Sequence, residues 1–190
     1  MAHPAEHRSP RPATYQDVLD APPHHVAEIL SGELSVSPRP SGRHVSAASA
    51  MQGELYGPFQ RGRGGPGGWV FLDEPELHFD HDVVVPDLAA WRRERMESLD
   101  RAYFTVAPDW VCEVLSPSTA ARDRTQKLAI YAHAKVAHLW FVDPVLQTLE
   151  VFTLAIDGHW TLLSSHRGDE KVRAAPFGEL ELELAALWTP

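Results

Sequence analysis

The sequence predicts a mixed α/β (α+β) domain, a mixed β-sheet flanked by helices. Three observations carry this. The hydrophobic period switches repeatedly between two and three-to-four residues along the chain. The resulting order is helix, hairpin, helix, strands, helix, strands. One stretch, "DWVCEVLSPSTAARDRTQKLAIYAHAKVAHLWFVDP" from Asp109 to Pro144, reads as strand, helix, strand. If its two strands are parallel, it is a right-handed βαβ unit. No internal repeat is present.

Taken in order, residues 1–12 are rich in Pro, His and Arg and read as a loose, disordered tail, leaving 13–190 as a single domain. "TYQDVLDA" predicts a short helix with Thr14 as N-cap. "HVAEILSGELSVSP" predicts an N-terminal hairpin turning at Ser31-Gly32, with Leu34 and Val36 alternating with Ser35 and Ser37. Ala48, Met51, Leu55 and Phe59 recur at helical spacing and predict an amphipathic helix. "RGRGGPGG" is a loop that lacks the Lys-Ser/Thr ending of a P-loop. "WVFLDEPELHFDHDVVVPDLAAW" predicts two or three strands, and "ERMESLD" a short helix. A strand follows over Trp110–Leu115, a helix over Ala120–Ala134 and a strand over "AHLWFVDP". The C-terminal part predicts a hairpin turning at Asp157-Gly158, then an alternating "GELELEL" leading into a short helix.

Composition narrows the function classes. Of 190 residues, 44% are hydrophobic and 23% charged, enough apolar material for a core. The formal charge of -9 argues against a non-specific coat on nucleic acid, though not against a local site. The lone Cys112 fits a reducing compartment. "MAHPAEHRSPRP" has no apolar h-region, and no apolar run reaches the ~18 residues of a membrane span. The expected location is the cytoplasm, with no membrane partner.

Chemistry concentrates in the carboxylates. Glu113 interrupts an apolar strand, and a buried carboxylate is costly without a partner. Alternation puts Glu113 on one face with Val111 and Leu115, and Trp110, Cys112 and Val114 on the other. Asp87 sits in "DVVVPDLAAW" on the face of Val85 and Ala89. If the two strands are neighbours, the two acids converge. A divalent cation would relieve their repulsion, and hard oxygen ligands suit Mg²⁺ or Mn²⁺. Alternatively, Asp87 only caps a turn and Glu113 pairs with Arg122 or Arg124. Asp123, Lys127 and Tyr131 lie four apart on one helix face. Lys127 then makes either a surface pair with Asp123 or a reach back toward the two acids. "HFDHD" (His78–Asp82) does not converge as a zinc site, and Cys112, opposite Glu113, reads as a core residue.

The blocks "VVVPDLAAW", "EVLSPST", "D…K…Y" and "WFVDP", with "VAEILSGELSVSPRPSGRH" upstream, resemble the Uma-two family of restriction endonucleases, within the PD-(D/E)xK nuclease superfamily. The resemblance covers roughly Thr14 to Trp188. It implies a restriction-endonuclease-like mixed sheet, with the N-terminal hairpin and C-terminal strands as additions to a single nuclease-like domain. It implies Mg²⁺- or Mn²⁺-dependent phosphodiester hydrolysis, with Asp87 and Glu113 as metal ligands and Lys127 as third catalytic residue. The superfamily lysine two residues past the second acid is replaced by Leu115, which directs attention to the following helix. Glu28, His44 and Asp123 are accessory candidates; His44 either touches a phosphate or caps its helix. Ser31 stands where the family usually carries Asp, and Lys135 where its helix end usually carries Gly. The implied partners are nucleic acid, DNA foremost, and a second copy of the chain. The alternative is a catalytically silent nuclease fold that binds nucleic acid or a protein partner.

Overall fold

The computed structural model describes residues 11–96 and 98–188. Of the tail expected over 1–12, residues 1–10 lie outside the described residues. Arg11 is ion-paired to Asp17 at 2.6 Å. The first helix, α1 (Tyr15–Leu19), starts at Thr14, whose backbone N–H donates to Asp17 at 2.7 Å.

The predicted hairpin is β1 (His25–Leu30) and β2 (Glu33–Pro38), antiparallel, in register Ala27↔Val36 and Ile29↔Leu34. Ser31 and Gly32 both hold positive φ, the turn that best matches strand twist. Helix α2 (Gly42–Leu55) is N-capped by Ser41 and runs on into a π turn over Tyr56–Gln60. Its buried stripe is Ala47, Met51, Leu55 and Phe59, with Ala48 at the margin.

The stretch from Trp69 to Trp91 holds four strands rather than two or three. They are β3 (Trp69–Asp73), β4 (Leu77–Phe79), β5 (Asp82–Val84) and β6 (Leu88–Arg92). Strands of three residues are too short to show alternation, so β4 and β5 merge in the sequence. The "HFDHD" motif is simply their hairpin, with Asp80 at φ 53. "ERMESLD" does not form the expected helix: a single 3₁₀ turn spans Arg93–Arg95, and Glu97 lies outside the described residues.

Next come β7 (Trp110–Val114), α3 (Ala120–Arg122), a π turn over Asp123–Lys127, α4 (Leu128–His133) and β8 (His138–Asp143). Strands β7 and β8 are parallel, so the expected βαβ unit is present. The chain ends with β9 (Thr148–Leu154), β10 (Trp160–Arg167), β11 (Lys171–Val172), β12 (Leu182–Glu183) and α5 (Ala185–Trp188).

Among the described residues these strands form three sheets, ordered β10-β9-β8-β7-β6-β3, β2-β1-β5-β4 and β11-β12. The six-stranded sheet is the centre, and every residue of β7 is buried. Trp110, Cys112 and Val114 pack toward α2, Phe177 and Leu187. Val111 and Leu115 pack on the other side with Ile130, Tyr131 and Leu30. This is the two-faced alternation read from the sequence. Trp110 and Trp140 meet edge to face at 5.3 Å, both essentially without exposure. No helix among the described residues is long and apolar enough to cross a membrane.

Candidate active site

Pro86 organises the site. It ends β5, and the chain then crosses from the four-stranded to the six-stranded sheet, leaving Val85 to Asp87 outside any ladder. Side chains satisfy the freed backbone groups. Val85 N–H donates to Glu28 Oε1 at 2.9 Å, and the Val85 carbonyl accepts from Lys127 Nζ at 3.1 Å. Asp87 then stands at the entry to β6, beside the C-terminal end of its partner β7. Its Oδ2 accepts the Val114 N–H at 2.6 Å.

Glu113, on β7, is 2% exposed. Arg122 and Arg124 are not its partners. Arg122 bonds Ser35 and Ser37, and Arg124 pairs with Glu150 at 2.6 Å. Glu113 instead accepts from Lys127 Nζ at 3.2 Å on both oxygens and from the Tyr131 hydroxyl on Oε1. Lys127 also pairs with Glu28 at 2.9 Å and with Asp123 at 3.8 Å. At 5% exposure it is not a surface residue. The widened π turn carries Asp123 and Lys127, and both point inward; such turns recur at functional sites.

His44 does not cap its helix. Ser41 caps the helix by accepting the His44 backbone N–H at 3.4 Å. The His44 ring lies on Asp87, Nε2 to Oδ1 at 2.6 Å. An ionised carboxylate only accepts, so Nε2 carries the proton there. The buried Nδ1 of His44 has no hydrogen-bond partner among the described residues.

Electrostatics follow from burial and crowding. Burial raises the Glu113 carboxyl well above its ordinary range; Lys127 opposes this, and Asp123, Asp87 and Glu28 add to it. Burial also raises Asp123. Burial would push Lys127 down, but Glu113, Glu28 and Asp123 outweigh it and hold the ammonium above the usual lysine value. Burial and the neighbouring Glu113 push the Tyr131 phenol well up, so it stays a donor. Cys112 is a free, buried core thiol.

These groups line one cavity of about 370 Å³, open between the hairpin and the ends of β6 and β7. Glu28, His44, Asp87, Glu113, Asp123 and Lys127 all face it, so all six residues singled out from the sequence meet in one place. Sequence reading assigned Tyr131 no site role and offered Arg122 only as a partner for Glu113, not for Ser35 and Ser37. Tyr131 had a signal, because it continues the Asp123–Lys127 stripe by one more turn. Arg122 had none, since its partners are 85 and 87 residues away. Among the described residues, no group of three or more His, Cys, Asp or Glu is disposed to hold a metal ion.

A mixed sheet with acids at the ends of two paired strands, and a lysine delivered to one of them, Glu113, from the crossover helix, is the architecture of a nuclease-superfamily fold. The chain belongs to the Uma2 family, whose model, described as "Putative restriction endonuclease", matches residues 12–186. Among solved structures it is similar to a "putative nuclease belonging to DUF820" from Anabaena variabilis, with a TM-score of 0.75 at 22% identity, over 93% of this chain and 98% of that one. That likeness shows the fold. No curated protein matches.

Proposed function

We propose that the cavity is a nucleic-acid site on a nuclease fold, and that with its side chains as they stand it binds a phosphodiester without cutting it. The observation that carries this reading is Lys127. Its buried ammonium already contacts Glu113, Glu28 and Asp123, while His44 and the Val114 amide occupy Asp87. The acids are thus screened, and Arg122 and a row of serine hydroxyls are left on the cavity wall to meet a phosphate. DNA is the expected nucleic acid and the cytoplasm the expected setting, with residues 13–190 acting as one unit.

Hydrolysis is the second reading, favoured by the convergence of Asp87 and Glu113 from hydrogen-bonded strands with Lys127 beside them. The donor chemistry fits a small hard cation. Mg²⁺ typically takes only one or two carboxylates, with waters and substrate oxygens completing its shell, so a third protein acid is not required. Asp87 and Glu113 would hold it. Such a cation, when bound, acidifies a water and neutralises charge at phosphorus. On this reading His44 orients Asp87, Tyr131 fixes Glu113, and Lys127 stabilises charge developing on the phosphate oxygens. Two copies of the chain would serve the two strands of a duplex.

The two readings separate in one experiment. The purified protein is incubated with supercoiled, linear and single-stranded DNA and with RNA, with and without Mg²⁺ or Mn²⁺. Retarded but intact nucleic acid in every lane supports binding. Metal-dependent products support hydrolysis. Neither retardation nor products contradicts both, and directs the search to a protein partner.

A further inference from the structure

Arg122 is the one cavity-lining arginine that has no carboxylate among the described residues. The cavity's other arginine, Arg39, is paired with Glu74 at 2.7 Å. Arg122 is half-buried, and its Nη1 donates to the hydroxyls of Ser35 and Ser37, the latter at 3.0 Å. Those two serines alternate along β2, so they share a face and present two acceptors side by side. A guanidinium carries five donors, and the Nε and Nη2 donors of Arg122 have no partner among the described residues. In a chain with 26 acidic and 17 basic side chains, a half-buried cation braced only by neutral hydroxyls is an exception. Its planar fork matches two oxygens of a phosphate. Ser116 adds a further hydroxyl to the same wall, bonded to Ser118 at 3.1 Å and Thr119 at 2.9 Å, and hydroxyls rotate to suit an incoming acceptor. Asp123, the next residue, ties this point of the chain to Lys127.

We infer that Arg122, braced by Ser35 and Ser37, is the phosphate-contacting residue of the cavity. The shared chemistry is a phosphate group, from a nucleic-acid backbone or free in solution. The inference rests on the reading of the cavity as a nucleic-acid site, and its test separates the two.

Anisotropy of a fluorescein-labelled DNA dodecamer is measured in EDTA across a salt series, and inorganic pyrophosphate is titrated by calorimetry. The proteins are the wild type, Arg122→Gln, Ser35→Ala/Ser37→Ala and, as control, Arg124→Gln. Arg124 is engaged elsewhere, paired with Glu150 and lying over Phe141 at 4.9 Å. Arg122→Gln is expected to weaken DNA binding by about tenfold. It should also lower the log–log salt slope by about one. The double serine variant, which keeps the charge, should lose affinity while retaining the slope, and Arg124→Gln should match the wild type. Wild-type DNA binding with Arg122→Gln unchanged in affinity and slope overturns the inference and leaves the nucleic-acid reading standing. Pyrophosphate binding lost in Arg122→Gln, with no DNA binding by any protein, upholds the inference and sinks that reading. No binding of either probe to the wild type overturns both. Should Arg122→Gln not fold, the serine pair decides: wild-type affinity in that variant counts against the inference.

Discussion

Lys127 Nζ lies 3.2 Å from each of the two carboxyl oxygens of Glu113, a symmetric contact in which neither partner is more than 5% exposed. The ammonium also touches Glu28, Asp123 and the Val85 carbonyl, so a single positive charge closes the wall between the hairpin, the crossover helix and the central sheet. Removing it leaves buried carboxylates without compensation. Lys127→Met is expected to destabilise the protein by about 3 kcal/mol in urea denaturation. A loss within ~0.5 kcal/mol, the scale of an exposed pair, would contradict this burial.

Glu113 gives the site a pH signature. A buried carboxyl with a raised folded value keeps a proton that the unfolded chain has released. The folded state is therefore favoured at low pH, and that advantage is lost as pH rises from the ordinary 4.5 through the folded value. Asp123 acts in the same direction. In Glu113→Gln the contribution of Glu113 is gone. The stability difference, variant minus wild type, is expected to grow in favour of the variant as pH rises above 4.5. A flat difference would mean that Glu113 ionises as in the unfolded chain.

Lys127 and a divalent cation would compete for Glu113. Calorimetry with Mn²⁺ is expected to show weak uptake by the wild type. Uptake should be tighter by about tenfold in Lys127→Met, because the acids then face the cation uncompensated. Asp87→Ala and Glu113→Ala should abolish uptake while circular dichroism stays native. Uptake unchanged in either alanine variant would remove that acid from the ligand set.

Lys135 closes α4 in the left-handed region at φ 64. Its N–H donates to the Ala132 carbonyl at 3.1 Å, and Val136 N–H to the Tyr131 carbonyl at 3.0 Å, the paired bonds of a Schellman ending. A side chain there is strained, so Lys135→Gly should stabilise the fold by about 1 kcal/mol. A thermal melt at or below that of the wild type would show that the lysine makes up its strain elsewhere.

What the sequence made legible follows from the range of each interaction. Alternation along β7 is local, and it placed Glu113 opposite Cys112 correctly. The hairpin was readable because Ser31-Gly32 sits between an apolar run and an alternating one. Spacing aligned Asp123, Lys127 and Tyr131. It could not say that the face they share is buried, because that depends on β1 folding over it and bringing Glu28. The bond from the His44 ring to Asp87 spans 43 residues, and the braces of Arg122 span twice that. The arginines of "WRRER" likewise have partners far along the chain. In the fold, Arg92 stacks on Trp69 at 4.1 Å, Arg93 donates to the Gln60 and Trp69 carbonyls, and Arg95 pairs with Asp109 at 2.5 Å.

The most direct measurement of the central claim, that nucleic acid occupies the Lys127 cavity, is amide hydrogen exchange with and without a DNA duplex and its single strands. Slowed exchange is expected in two segments of the cavity wall alone, residues 35–44 and 114–127, with the remaining surface unchanged. Protection located elsewhere, or no protection at DNA concentrations that saturate a gel shift, would contradict the claim.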